Sequence, residues 1–176
     1  MKTEFVKREK METVLDLLTP ENRLVMRVCL HTGLRVGDAL ALRPQDLKPN
    51  TWITEQKTGK RRQIGFPGTL LRDLKANAGK YWVFPGRDPI KHRSRQAVWK
   101  DVKRAAHALR LPQNVGTHTA RKVYAVELLH STGDLAKVQK QMNHRSIEVT
   151  MIYAMADMIK TRRKSSRKKP KRKTRP

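Results

Sequence analysis

The closing stretch of the chain, Lys160 to Pro176, limits what the rest can fold into. Eleven Lys and Arg side chains stand there among Ser, Thr and Pro, with no acid and no large apolar residue between them. Such a segment has nothing to bury in return for the entropy lost on ordering, and its charges repel one another, so it is expected to stay disordered unless a polyanion binds it. The folding unit is therefore residues 1–159, a length suited to one compact domain. That body is itself basic, with 29 Lys and Arg against 15 Asp and Glu, and the whole chain carries a formal charge of +25. A basic tail alone would serve as a generic tether. A basic body implies that the folded surface also meets phosphate.

Membrane attachment would require an apolar span or a basic amphipathic helix with large apolar residues opposite its charges, and neither is evident. The segment Met1 to Lys10 has charges where an export signal would place its apolar core, so the chain is expected to be cytoplasmic. Cys29 is the single cysteine and sits in the apolar run Leu24 to Leu30. It can form no internal disulfide and reads as a small core residue. The six histidines show neither paired cysteines nor a close His pair, which argues against zinc, and no cofactor is expected.

Residues 10–18 carry Val14, Leu15, Leu17 and Leu18 at helical spacing, and Thr19-Pro20-Glu21 starts a second helix running to about 31. Gly33 and Gly37 bracket Leu34-Arg35-Val36, after which Asp38 is expected to cap a further short helix that ends at Arg43-Pro44. The runs Thr51 to Gln56 and Arg61 to Phe66 alternate like strands, with Lys57-Thr58-Gly59-Lys60 as the turn of a β-hairpin. Helices follow over residues 68–77 and about 94–109, then from a Thr117 cap to Ser131, where Gly133 ends the helix. Asp134 caps a shorter helix through Gln141, and Ser146 a last one carrying Tyr153. The expected class is α+β, mainly helical, with one small antiparallel sheet.

Candidate chemistry is spread over separated segments. Arg35 follows Gly33, which permits a close backbone approach, and Asp38 lies three residues on, near enough to orient the guanidinium. Lys57 sits at the hairpin turn, from which a flexible cation can reach a ligand. His118 and Arg121 share a face near a positive helix N-terminus, which suits an anion. His144 precedes Tyr153 by nine residues, roughly 12–14 Å along a helix. Taken alone, each has a bland reading: a loop Arg, a solvated turn Lys, a half-buried aromatic.

In chain order these segments resemble the tyrosine recombinase (phage integrase) family. Thr32-Gly33-Leu34-Arg35-Val36-Gly37-Asp38-Ala39-Leu40 is similar to its first arginine box. Gln56-Lys57-Thr58-Gly59-Lys60 is similar to its hairpin lysine segment, with Lys60 a substitute for Lys57. His118-Thr119-Ala120-Arg121 resembles its His-x-x-Arg box, and Asn143-His144 through Tyr153-Ala154 its closing segment. The resemblance implies an integrase-like catalytic domain acting on double-stranded DNA, with Arg35, Lys57, His118, Arg121 and His144 serving Tyr153, the nucleophile, and with Asp38 and Lys60 supporting them. Arg61, Arg62, Arg145, Lys160, Arg162, Arg163 and Lys164 are the expected DNA-binding cations.

The implied chemistry needs no metal, because guanidinium groups neutralise the charge that builds on the phosphate. Free tyrosine has a pKa of about 10, so Tyr153 would need a base or the cationic field, and Lys57 is the candidate acid for the departing oxygen. Self-assembly on DNA, with a partner recombinase or accessory protein, follows from the same resemblance. Two departures stand out. The helical clamp domain that family members carry before the catalytic one is expected to be absent, and Asn143 stands where glycine is common. Two other readings remain open: a helix-turn-helix-like DNA-binding module over residues 134–154, and a DNA-relaxing enzyme of the type IB topoisomerase kind.

Overall fold

The computed structural model describes residues 3–142. The described elements run α1 (Arg8–Asp16), α2 (Pro20–Thr32), α3 (Val36–Leu40), a 3-10 turn (Pro44–Asp46), β1 (Asn50–Thr54), β2 (Arg61–Gly65), α4 (Gly68–Asn77), α5 (Arg95–Ala108), α6 (Thr117–Thr132) and α7 (Leu135–Met142). His144, Arg145, Tyr153, the Ser146 helix and the basic stretch from Lys160 lie outside the described residues.

Helix α2 is the centre of the packing. Val25, Met26, Val28, Cys29 and Leu30 are all fully buried, so the helix is apolar on most of its circumference and meets α1, α3, α4, α5 and α6. Cys29 lies within this core, and burial pushes its thiol up to about 12, leaving it unreactive. Pro20 occupies the first helical position as expected, but Thr19 does not cap the helix with its side chain. Its hydroxyl and its amide both donate to Asp101 on α5, at 3.0 and 2.9 Å, and Asn22 adds a third donor to the same carboxylate. The N-terminus of α2 is thus fastened to another helix.

Gly33 ends α2 in the left-handed conformation at φ 67°, where a side chain would collide with the ring of Tyr124 on α6. The turn it permits sends the chain into α3. Here the expected cap is corrected. Arg35 holds the N-cap position, and Asp38 lies inside the helix, where its Oδ1 accepts from the Gln56 amide at 3.0 Å. That bond docks the hairpin turn against α3.

The sheet is one antiparallel pair, with Ile53 opposite Arg62 and Thr51 opposite Ile64. Side chains alternate across it, so Thr51, Ile53, Arg62 and Ile64 face inward while Trp52, Thr54, Arg61 and Gln63 face solvent. Ser94 caps α5 by accepting from the Ala97 amide at 3.1 Å, and Asp134 accepts from the Lys137 amide at 3.0 Å at the start of α7. Thr117 is the first residue of α6 instead of its cap. The hydroxyl of Thr119 accepts from the Gly116 amide at 3.1 Å, and the Thr119 amide donates back to the Gly116 carbonyl at 2.9 Å. Gly133 terminates α6 at φ 63°, as its sequence position implies.

Helix α7 rests on a separate small cluster: buried Val138 and Met142 meet Ala125, with Tyr124, Leu128 and Leu129 at its edge. Among the described residues no helix is long and apolar enough to cross a membrane.

Candidate active site

Four separate parts of the chain deliver side chains to one place beneath the hairpin turn. Glu55, fully buried at the end of β1, is its hub. Its Oε2 lies 2.5 Å from Arg35 Nη1 and 3.1 Å from the Thr58 hydroxyl. Its Oε1 faces Arg62 Nε at 3.4 Å and Arg121 Nη1 at 3.7 Å. Asp38 adds a second carboxylate, with Oδ2 3.9 Å from Arg35 Nη1. Three guanidinium groups thus share two acids, and the cluster keeps a net positive charge.

The two inner arginines also brace the backbone. Arg121 donates to the carbonyls of Gly33 and Met142, and Arg62 to those of Thr32, at 2.9 Å, and Gln141. Gln141 and Met142 are the last described residues of α7, and their carbonyls accept from these two guanidinium groups. The arginine cluster therefore joins the end of α2 to the end of α7, beyond which the chain continues toward His144 and Tyr153.

The electrostatics follow from this crowding. Burial alone would raise the Glu55 pKa, but the Arg35 hydrogen bond and the charges of Arg35, Arg121 and Arg62 outweigh it, leaving the group below the ordinary carboxylate value. Asp38 moves the other way, raised chiefly by desolvation and further by Glu55, although the Gln56 amide favours its charged form. Desolvation, then repulsion by Arg35 and Arg62, brings Arg121 down to about 10, still charged at neutral pH.

His118 is exposed on the first turn of α6. Partial desolvation of its ring, and then the charges of Arg121, Arg35, Lys122 and Lys57, hold its pKa below the ordinary histidine value. That shift favours the neutral ring, which can accept or donate a hydrogen bond.

The structure therefore brings together Arg35, Lys57, His118 and Arg121, with Asp38 behind Arg35. Lys57, Lys60 and Arg61 are exposed on the hairpin, where Lys60 and Arg61 line an open cleft with Trp52 and Lys140. Arg62 departs from expectation. It is 5% exposed, and its guanidinium points into the cluster, where it faces Glu55 and braces the Thr32 and Gln141 carbonyls. His144, Tyr153, Arg145, Lys160, Arg162, Arg163 and Lys164 lie outside the described residues. Among the described residues no group of three or more His, Cys, Asp or Glu is placed to hold a metal ion.

Glu55 was not singled out from the sequence, yet the signal was present. Period-two alternation puts Thr51, Ile53 and Glu55 on one face of the first strand, and Arg62, Ile64 and Phe66 on the same face of the second. An acid and a base both assigned to a buried face imply a pair.

Comparison with known proteins agrees with this fold. The family model described as the phage integrase family matches residues 4–159. YoeC of Bacillus subtilis (strain 168), a probable integrase/recombinase, is 31% identical over 166 residues, covering 88% of this chain and 90% of its own. The integrase of Escherichia phage P2 is 27% identical over 154 residues, covering 86% of this chain and 43% of its own. The chain thus spans nearly all of YoeC but about half the length of several other curated relatives. The catalytic domain of bacteriophage HP1 integrase superposes with a TM-score of 0.67 at 22% identity, over 88% of each chain. XerH recombinase, in a post-cleavage complex with a palindromic difH substrate, gives 0.71 at 21% identity, covering 87% of this chain and 49% of that one. The chain belongs to the phage integrase family, the tyrosine-type site-specific recombinases, and has the integrase catalytic-domain fold.

Proposed function

We infer that residues 1–159 form a catalytic domain that cuts and rejoins double-stranded DNA through a 3′-phosphotyrosyl intermediate, with Tyr153 as nucleophile and without a metal ion. The observation that supports this reading most is the convergence of Arg35 and Arg121, from distant parts of the chain, on Glu55 at the base of the hairpin turn that carries Lys57, with His118 one turn before Arg121. Solvated surface charges have no reason to gather in this way, whereas a phosphate in attack needs cations and hydrogen-bond donors on its non-bridging oxygens.

In this scheme the Tyr153 oxygen attacks phosphorus while its proton passes to a histidine, His118 or His144. The bond from phosphorus to the 5′ oxygen breaks, and Lys57 protonates the departing oxygen. Arg35, with a fifth of its side chain exposed, presents its remaining donors to the phosphate. Arg121 is nearly covered and contributes chiefly its charge, in surroundings where water screens little. The phosphotyrosyl link conserves the energy of the phosphodiester, so a 5′-hydroxyl can reverse the step with no nucleotide cofactor. Recombination needs paired sites, so the domain would assemble with further copies, or with a partner recombinase or accessory protein, on DNA.

The test uses a pool of nicked duplexes of randomised core sequence in the presence of chelator. The expected result is a detergent-resistant protein–DNA adduct, lost in Tyr153→Phe and reduced about 100-fold or more in Arg35→Ala. Tight binding with no adduct from any duplex would leave a non-catalytic DNA-binding module as the better reading. Rejoining only to the original strand when a foreign 5′-hydroxyl end is supplied would favour a relaxing enzyme.

A further inference from the structure

We propose that Glu55 is a positioning residue for cleavage, setting Arg35 and Arg121 against one another and against the hairpin that carries Lys57; this deepens the catalytic reading above and rests on it. A fully buried carboxylate is disfavoured unless its charge is answered, and one guanidinium would answer it. Glu55 faces three, from α3, β2 and α6, and divides them between its oxygens. Oε2 takes Arg35, and Oε1 sits between Arg62 and Arg121. The two arginines assigned to the phosphate thereby face opposite oxygens of one acid, Arg35 through a hydrogen bond and Arg121 across 3.7 Å, its own hydrogen bonds going to the Gly33 and Met142 carbonyls. Without that acid only Asp38 would offset the repulsion between their charges.

The carboxylate is itself fixed by the turn. The Glu55 amide donates to the Lys60 carbonyl at 3.0 Å, and the Glu55 carbonyl accepts from the Gly59 and Thr58 amides at 2.8 and 3.3 Å. The Thr58 hydroxyl donates to Oε2 at 3.1 Å. Lys57 lies inside this turn, two residues from Glu55. One residue therefore relates the hairpin lysine, Arg35 and Arg121 in space. It touches no reacting atom and acts through the groups that do.

The experiment takes the duplex captured by the wild-type chain and measures its single-turnover cleavage rate constant and half-saturating concentration separately, at a temperature where each variant is folded. Glu55→Gln keeps the shape and an acceptor for Arg35 but removes the charge that answers Arg121. The expected result is at least a tenfold fall in the rate constant with half-saturation changed less than twofold. Glu55→Asp should recover part of the loss. Glu55→Gln added to Arg35→Ala should cost less than Glu55→Gln does in the wild-type chain, because one of the groups that Glu55 positions is already gone. Thr58→Val, which removes one bond to Oε2, should lower the same rate constant a few-fold and decides the matter together with Glu55→Asp if Glu55→Gln does not fold. Wild-type rate constants in the folded variants, or losses that fully multiply with that of Arg35→Ala, would overturn the assignment. A wild-type chain that forms no adduct on any duplex would remove the catalytic reading, and this inference with it.

Discussion

Arg61 and Arg62 are neighbours in sequence and opposites in the structure, since one faces solvent over the Trp52 ring and the other is buried against Glu55. Truncating the buried one leaves the carbonyls of Thr32 and Gln141 without their donor. Arg62→Met should therefore lower stability by about 1–3 kcal/mol for each group left unpaired, read as a fall in the denaturation midpoint. Arg61→Ala should leave that midpoint within about 0.5 kcal/mol and weaken DNA binding instead. Equal stability of the two variants would contradict the burial of Arg62. His118 gives a second test. Its folded pKa is lowered, so the unfolded chain binds the proton more readily. The contribution to stability is present above the unfolded value of about 6.5 and is lost as pH falls below it. Titration of the His118 ring by NMR in the DNA-free chain should give a midpoint below about 6.5; a midpoint at or above that value would mean that the surrounding cations do not act on it.

At the scale of elements, the helices were legible where apolar spacing and punctuation agreed: α4 falls on residues 68–77, and Ser94 and Gly133 bound α5 and α6 as their chemistry implies. The caps at Asp38 and Thr117, and the side-chain partner of Thr19 at its N-cap position, were not, because each of these elements has a partner far along the chain. Asp38 serves the Gln56 amide and Thr19 serves Asp101, while Thr119, whose hydroxyl also reaches the Glu4 carbonyl, closes the start of α6. Local propensity cannot register a competitor that only the fold brings near. The same reasoning explains the site: Arg35, Lys57, His118 and Arg121 were recognisable from their short motifs, whereas Glu55, which joins three elements, shows only as an inward-facing position in a strand pattern. Gly33 tests the junction between elements. Gly33→Ala imposes a left-handed backbone worth about 1–2 kcal/mol on an L-residue and drives its Cβ into Tyr124. A stability loss exceeding that backbone figure is expected in chemical denaturation, together with slower cleavage, because the Gly33 carbonyl holds Arg121. A neutral effect would show that the turn is not fixed by that contact.

For the whole molecule, charge is the dominant property, and it divides into a basic folded body and the eleven cations from Lys160 onward. If those cations contact phosphate, deleting residues 160–176 should weaken DNA binding and flatten its dependence on salt, since each phosphate contact releases counterions. An unchanged slope would confine DNA contact to the body. The central claim concerns the body: that its arginine cluster exists to let Tyr153 attack a phosphodiester. Digestion of the covalent adduct with protease and nuclease, followed by mass spectrometry, reads this directly. The account predicts a nucleotide remnant linked through its 3′ phosphate to the peptide containing Tyr153, and a remnant on any other residue, or linked through a 5′ phosphate, would contradict it.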